Sequence, residues 1–130
     1  DYAHHPSEVS STLNAAKNGW NKRIITIFQP HLFTRTRDFY EEFAKAFLSS
    51  DILIVTDIYP AREIPIPGIT AELISKTTLK MGHNNVEYIP NKENIPNRLL
   101  EIAQPQDIIM TMGAGDIWRQ CDKIYKVLNN

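Results

Sequence analysis

One segment of the chain combines a histidine and two arginines within seven residues. His31, Arg35 and Arg37 follow an apolar stretch at 22–28 and come just before a helical pattern. The guanidinium group of arginine binds carboxylate and phosphate oxygens, and the free amides at the start of a helix attract the same anions. The segment therefore favours an anion or carboxylate site. A simpler alternative stays open, in which both arginines are solvated surface charges and Arg37 merely pairs with Asp38.

A second polar cluster lies at the beginning of the sequence, which reads DYAHHP over residues 1–6. An aspartate beside His4 and His5 suggests metal binding. Neighbouring histidines do not easily reach one ion, however, and no third ligand follows at a suitable spacing. From the residues alone, a polar terminal segment is the favoured interpretation.

The third candidate is the glycine pair Gly113 and Gly115, which follows an apolar stretch. It matches only the start of the dinucleotide-binding pattern, because Trp118 stands where the third glycine would be. The sequence also has no GxxxxGK[ST] phosphate-binding loop and no GxSxG nucleophile signature. We expect the two glycines to permit a tight turn, or a close approach to a ligand or a neighbouring domain.

Alternating strand and helix patterns determine where these residues meet. Short apolar, β-branched stretches predict four strands, and apolar residues at every third or fourth position predict five helices. The predicted strands cover residues 22–28, 52–56, 86–89 and 107–112, and the predicted helices begin near Ser7, Thr36, Thr70, Asn94 and Ile117. Apolar strands that alternate with helices indicate a three-layer α/β domain, with a mainly parallel sheet flanked by helices on both faces. Ligands of such sheets bind beyond the carboxyl ends of the strands.

Composition narrows the class of protein. A length of 130 residues suits one domain, and 42% hydrophobic with 22% charged residues is ordinary for a globular protein. A net charge of −1 without a basic run argues against nucleic acid or a membrane surface as a partner. The single cysteine, Cys121, excludes an internal disulfide and is expected in the core, and Trp20 and Trp118 are expected in the core or at an interface.

Taken together, six motifs resemble the C-terminal domain of the Mur ligases, and most closely of the members that add L-alanine. The motifs are DYAHHP at 1–6, FQPH at 28–31, TRTRD at 34–38, DIYPARE at 57–63, PIPG at 65–68 and GAGD at 113–116. The resemblance covers essentially the whole chain, in order. Its specific part is the combination of DYAHHP with FQPH and TRTRD, since the glycine motif alone would be weak.

The resemblance implies a three-domain cytoplasmic ligase of peptidoglycan synthesis and cell wall biogenesis. Such an enzyme uses ATP to activate the carboxyl group of UDP-N-acetylmuramate as an acyl phosphate, which the amine of L-alanine then attacks. Residues 1–130 would form the single Rossmann-like C-terminal domain, a lid that binds the amino acid and is inactive alone. ATP and Mg²⁺ would be bound mainly by the central domain, which with the N-terminal domain would be the partner of this lid.

The resemblance also implies roles for individual residues. Asp1 and His4 match positions that approach the nucleotide. Tyr2, His31 and Arg35 match positions that line the amino-acid pocket, with Arg35 as the clamp for the carboxylate.

Three further positions complete this assignment. Arg37 is assigned to phosphate binding or to the structure of its loop, and no catalytic residue or metal ligand is assigned to this domain. The sequence departs from close relatives at Leu32, where they commonly have arginine, and at Trp118, where they often have glycine. If that arginine helps to bind the alanine carboxylate in the relatives, Arg35 must contribute more to this binding in the present chain.

Alternatives remain at this point. The chain could belong to another Mur ligase, either a murein-recycling enzyme or one that adds a different amino acid. It could also be a stand-alone module that binds a nucleotide or an amino acid, although a start at Asp1 inside a motif leads us to expect a longer protein. A receiver-like or flavodoxin-like signalling domain with Asp57 as phosphoacceptor is disfavoured, because no acidic pair follows the first strand.

Overall fold

Helices and strands alternate along the chain in the computed structural model, which describes residues 1–129. The helices are α1 (Pro6–Trp20), α2 (Phe33–Phe47), α3 (Glu72–Lys80), α4 (Ile95–Ile102) and α5 (Gln120–Leu128). The strands are β1 (Ile24–Phe28), β2 (Ile52–Val55), β3 (Val86–Tyr88) and β4 (Ile108–Met112). Short 3₁₀ helices at Lys92–Asn94 and Ile117–Arg119 precede α4 and α5. No described helix is long and apolar enough to cross a membrane.

The four strands form one parallel sheet in the order β3-β2-β1-β4. The register places Ile25 of β1 opposite Ile52 of β2 and opposite Ile109 of β4. The chain runs from β1 outward through β2 and β3, then returns to the other side of β1 to form β4. The connection that follows β1 leads to one side of it, and the connection that precedes β4 leads to the other side. Sheets of this kind bind ligands at such a reversal, beyond the carboxyl ends of the two strands.

Side chains of the strands alternate between two separate cores, one on each face of the sheet. Ile24 and Phe28 of β1 pack with residues of α1, α2 and α3, and the rings of Phe28 and Phe47 are 4.8 Å apart between centroids. Ile25 packs on the opposite face with residues of α4 and α5, among them Leu99. Helices thus cover both faces of a parallel sheet, which confirms the predicted three-layer α/β fold.

The start of α2 differs clearly from the prediction. This helix begins at Phe33, whereas the sequence suggested a cap at Thr36. Thr36 is instead buried in the first turn, where its hydroxyl donates to the carbonyl oxygen of Leu32 at 2.9 Å. The predicted strand ends and the starts of α1, α3 and α4 agree with the structure within two residues. The sequence predicts that the last helix begins near Ile117, where the structure has a 3₁₀ helix, and α5 itself begins three residues later at Gln120.

The predicted burial of Cys121 in the core is wrong, because this residue lies exposed. Cys121 lies in α5 near β4, an edge strand among residues 1–129, so less of the sheet is available there to cover it. The side chains of Trp20 and Trp118 are 59% and 61% exposed, so neither belongs to a core, and their alternative placement at an interface stays a prediction. The Arg119 guanidinium lies 5.3 Å from the ring centre of Trp118 and forms a cation–π contact with it.

Candidate functional site

The carboxyl ends of β1 and β4 bring the three candidate segments together. The amino nitrogen of Asp1 donates to the carbonyl oxygen of Thr111 at 2.7 Å, and the N–H of Gly113 donates to the carbonyl oxygen of Asp1 at 3.1 Å. On the other side of β4, the N–H of Gln29 donates to the carbonyl oxygen of Met112 at 3.0 Å. The N-terminal cluster therefore lies beside the loops that follow β1 and β4.

A hydrogen bond links the two charged candidates of the loop after β1. The Nη1 atom of Arg35 lies 3.2 Å from the Nδ1 atom of His31, and both side chains are half-buried. A guanidinium can only donate, so Nδ1 of His31 must accept and carry no proton. Burial lowers the pKa of His31 below its ordinary value of 6.5, and the nearby charges of Arg35 and His4 lower it further. The pair therefore consists of the neutral imidazole of His31, which accepts a hydrogen bond, and the permanently charged guanidinium of Arg35, which donates it.

Aromatic rings extend this pair into a small cluster. The ring of His4 meets the ring of Tyr2 edge-on at 5.2 Å and the ring of His31 edge-on at 6.1 Å. Tyr59, in the loop after β2, stacks on His31 with a centroid distance of 5.9 Å and an interplanar angle of 14°. The structure thus brings together Tyr2, His4, His31 and Arg35, four of the residues that the sequence singled out.

Asp1 contacts the same region mainly through its backbone. Its carboxylate accepts hydrogen bonds from the N–H of Ala3 at 2.7 Å and from the hydroxyl of Thr12 at 3.3 Å. These contacts tie the beginning of the chain to α1. Asp1 is exposed, and its predicted approach to a nucleotide stays a prediction.

Arg37 does not join the cluster. Its guanidinium forms an ion pair with the neighbouring carboxylate of Asp38 at 2.9 Å, and both side chains are about half exposed. The hydrogen bond with Arg37 lowers the pKa of Asp38 below its ordinary value. The structure therefore matches the simpler alternative for Arg37, a surface pair. Its assignment to phosphate binding is not tested by these contacts.

Gln29 is a residue whose part in this region the sequence did not reveal. It is 3% exposed, its side-chain nitrogen donates to Asp116 at 2.8 Å, and its side-chain oxygen accepts the N–H of Ile117 at 3.1 Å. These hydrogen bonds join the loops that follow the neighbouring strands β1 and β4. The signal was present in the motif FQPH, but a buried glutamine cannot be told from an exposed one by spacing.

Close packing inside this domain leaves no room for a side chain at Gly115. A Cβ atom at this position would lie 2.5 Å from Cγ of Tyr59 and 2.7 Å from the side-chain oxygen of Gln29. A Cβ atom at Gly113 would lie 2.8 Å from the carbonyl oxygen of Gln29, and the backbone there has φ of +155°. The close neighbours of both glycines belong to this domain's own chain, an arrangement not predicted from the sequence, and an approach to a ligand or a neighbouring domain stays a prediction.

The start of α2 is occupied by a side chain from the loop after β2. One carboxylate oxygen of Glu63 accepts the backbone N–H groups of Phe33 at 2.5 Å and Thr34 at 3.1 Å. The other oxygen accepts the hydroxyl of Thr34 at 2.5 Å. The anion that we expected at this helix start is therefore the protein's own carboxylate, whereas Arg35 forms no salt bridge with a carboxylate among residues 1–129.

These features define a class of protein domain. A parallel α/β domain carries a neutral histidine, a half-buried arginine and two tyrosines at the carboxyl edge of its sheet, an arrangement suited to a small carboxylate. The family model described as "Mur ligase, glutamate ligase domain" matches residues 1–115. The chain belongs to this family.

Similar proteins agree with this assignment. A protein named UDP-N-acetylmuramate–L-alanine ligase from Salinibacter ruber is 44% identical over the whole chain, and one of the same name from Geotalea uraniireducens is 50% identical over 92% of it. The chain spans 28% and 26% of the length of these relatives. A murein peptide ligase from Psychrobacter arcticus, 19% identical, superposes on the whole chain and on 27% of its own with a TM-score of 0.80, which shows a shared fold.

Proposed function

We propose that this chain is the C-terminal domain of an ATP-dependent ligase that joins L-alanine to UDP-N-acetylmuramate in peptidoglycan synthesis. One observation carries the proposal: relatives that match the chain almost end to end, at 44% and 50% identity, bear the name of that enzyme. The arrangement of Arg35, His31 and Tyr2 supports it, because a cation beside compact aromatic groups suits the carboxylate of a small amino acid.

The proposal assigns residues 1–130 to a single lid domain that closes on N-terminal and central domains of the same enzyme. Asp1 and His4 would face the nucleotide when the lid is closed, and Tyr2, His31 and Arg35 would line the amino-acid pocket. ATP and Mg²⁺ would be bound mainly by the central domain, as the resemblance to the Mur ligases implies. Because ATP and a UDP-linked precursor are its substrates, the enzyme would work in the cytoplasm.

The residues of this chain would position and shield the amino acid. ATP converts the muramate carboxyl group to an acyl phosphate, and Arg35 holds the carboxylate of L-alanine so that its amine points at the activated carbon. A carbon–nitrogen bond then forms, the bond from carbon to the phosphate oxygen breaks, and the amine loses a proton. Closure of the lid excludes water, which would otherwise hydrolyse the acyl phosphate.

The test compares acceptors in the full-length protein that contains this chain. Phosphate release is followed with UDP-N-acetylmuramate, ATP and L-alanine, and then with D-glutamate or a tripeptide in place of L-alanine. We expect turnover with L-alanine. A preference for the tripeptide would identify a murein-recycling enzyme, and a preference for D-glutamate would identify another amino-acid-adding ligase.

Two controls address the domain assignment. The isolated chain is expected to turn over no ATP, and ligation by it would contradict the role of a lid. An antibody against the chain is expected to detect a native protein several times heavier than 14.9 kDa. A native band at 14.9 kDa would favour a stand-alone binding module.

A further inference from the structure

Glu63 makes the most extensive contact in the site region that the proposed function does not use. We propose that Glu63 is a positioning residue, which caps α2 from the loop after β2 and thereby fixes Arg35 for the carboxylate of the incoming amino acid. This inference rests on the proposed function for its substrate. The contact itself does not depend on that function.

The first step is that α2 has no cap of its own. The residue before the helix is Leu32, whose side chain cannot accept a hydrogen bond, and no local side-chain cap is present. The first N–H groups of a helix have no partner within it, so a carboxylate there both satisfies them and interacts favourably with the helix dipole. Glu63 does this for two N–H groups, those of Phe33 and Thr34, and also accepts the hydroxyl of Thr34.

The second step is that backbone hydrogen bonds place the loop after β2 so that the Glu63 carboxylate reaches the start of α2. Tyr59 pairs with the loop after β1 through its N–H to the carbonyl oxygen of Pro30 at 2.8 Å, and its own carbonyl oxygen accepts the N–H of Leu32 at 3.0 Å. A turn follows, closed by the N–H of Glu63 and the carbonyl oxygen of Pro60 at 2.9 Å.

Two residues of these loops have strained backbone conformations. Ala61 within the turn has φ of +54°, and Leu32 has φ of +73°. Both values are unfavourable for residues with a side chain, and such conformations persist where surrounding contacts hold them in place. The hydrogen bonds of Tyr59 and Glu63 are contacts of this kind.

The third step connects the cap to the ligand site. Arg35 is in the first turn of α2, directly after the two residues that Glu63 binds, and its guanidinium also contacts His31 in the preceding loop. Loss of the cap would let the first turn fray and would free Arg35 from a single orientation. Glu63 also fills the anion-binding helix start, so a substrate carboxylate is directed to Arg35.

The carboxylate is ionised under ordinary conditions. The hydroxyl of Thr34 lowers the pKa of Glu63 below its ordinary value of 4.5, and the N–H groups of Thr34 and Phe33 act in the same direction. A neutral side chain of the same shape, glutamine, keeps part of the geometry and loses the charge. It is therefore the informative substitution.

The experiment measures steady-state kinetics of the full-length protein with Glu63→Gln, with Glu63→Ala and with Glu42→Gln as the control. Glu42 is an exposed carboxylate of α2 that is hydrogen-bonded to no residue among 1–129. We expect Glu63→Gln to raise KM for L-alanine about fivefold or more, with KM for ATP and for UDP-N-acetylmuramate unchanged. Glu42→Gln should change none of these constants.

A double substitution separates positioning from general stability. If Glu63 acts through Arg35, adding Glu63→Gln to Arg35→Ala should cause little further loss in kcat/KM for L-alanine. Additive losses, or an unchanged KM for L-alanine in Glu63→Gln, would overturn the proposal.

Hydrogen exchange distinguishes failure of this inference from failure of the proposed function. In the full-length protein, the amides of Phe33 and Thr34 should exchange at least tenfold more slowly than in Glu63→Ala. Equal exchange rates would overturn the capping role, whatever amino acid the enzyme uses. A wild-type protein that shows slow exchange but no turnover with L-alanine would refute the proposed substrate and retain the cap.

Discussion

Arg35 is the residue through which the proposed pocket binds its ligand. Among residues 1–129 its guanidinium forms no salt bridge with a carboxylate and is bonded to the side chain of His31 alone. Charged hydrogen bonds contribute roughly 1.5–3 kcal/mol, so Arg35→Ala in the full-length enzyme should raise KM for L-alanine about tenfold or more. Steady-state kinetics at varied L-alanine measures this directly.

The matched control is Arg37→Ala, two residues further along the same helix. Arg37 is already paired with Asp38, so its removal should leave KM for L-alanine within about twofold of the wild type. An equal rise of KM in both variants would show that the pocket depends on local positive charge and not on the position of Arg35.

His31 should titrate below the ordinary histidine range. Burial is the largest cause of its lowered pKa, Arg35 and His4 add to it, and Glu63 opposes it. An NMR titration of the imidazole should therefore give a pKa below 6.5, and Arg35→Gln should move that pKa upward. Because His31 stays half-buried in the variant, its pKa should remain below 6.5.

The sign of the effect on the pocket follows from this titration. A proton on Nδ1 of His31 removes the acceptor for Arg35 and places two cations side by side, so acidification through the pKa of His31 should weaken L-alanine binding. A measured pKa at or above 6.5 would contradict the neutral imidazole on which this argument depends.

The loop between β4 and α5 is constrained by its contacts with the two neighbouring loops. Gly115→Ala would place a methyl group against the ring of Tyr59 and the buried side chain of Gln29. Overpacking of this kind typically costs about 1–3 kcal/mol. We expect a lower free energy of unfolding by that amount in urea denaturation, with a weaker stack between Tyr59 and His31 as a consequence.

Gly19→Ala provides the control for this loop substitution. Gly19 is in the last turn of α1, no atom lies within 4 Å of a Cβ built there, and alanine favours a helix over glycine. The substitution should leave stability unchanged or raise it slightly. If Gly115→Ala were equally harmless, the loop would be more adaptable than its contacts indicate.

Elements whose pattern is local could be predicted from the sequence, and those held by distant contacts could not. The apolar run of β1 and the periodic face of α4 contain the information that makes them a strand and a helix. The start of α2 does not, because its cap comes from Glu63, 30 residues along the chain. Residue types and spacing brought His31 and Arg35 to attention, but only the structure revealed the contacts of Glu63 with the start of α2 and of Gln29 with the loop after β4.

Stabilising charges and the proposed ligand site lie at opposite edges of the sheet. Arg23, just before β1, binds Asp107, just before β4, through two hydrogen bonds of 2.9 and 2.6 Å and also donates to the carbonyl oxygen of Ile102. Asp51, just before β2, accepts the N–H of Ile24 at 2.7 Å. These contacts fasten the amino ends of the strands, whereas the pocket residues follow the carboxyl ends. Stability can therefore be changed without altering the pocket.

Asp107→Asn tests this separation through the dependence of stability on pH. The hydrogen bond from Arg23 lowers the pKa of Asp107 below its ordinary value of 3.8, and that of Asp51 is also lowered. A carboxylate whose pKa is lower in the folded than in the unfolded state stabilises the fold above the unfolded pKa, and this contribution disappears as the pH falls through the folded one. At pH 7 the variant should therefore lose about 1–3 kcal/mol in urea denaturation. As the pH falls below about 4 the difference should begin to shrink, and it should be smallest below the lowered folded pKa, where the wild-type carboxyl group is protonated in the folded state as well.

The control and the enzymatic readout complete the argument. Glu41→Gln removes an exposed carboxylate of α2 and should leave the free energy of unfolding within about 0.5 kcal/mol at every pH. In the full-length enzyme, at temperatures where Asp107→Asn stays folded, KM for L-alanine should equal that of the wild type. A raised KM in this variant would mean that the amino edge of the sheet is coupled to the pocket, since no contact of Asp107 reaches the pocket residues directly. An unchanged KM beside a lowered stability would establish that the two edges act independently.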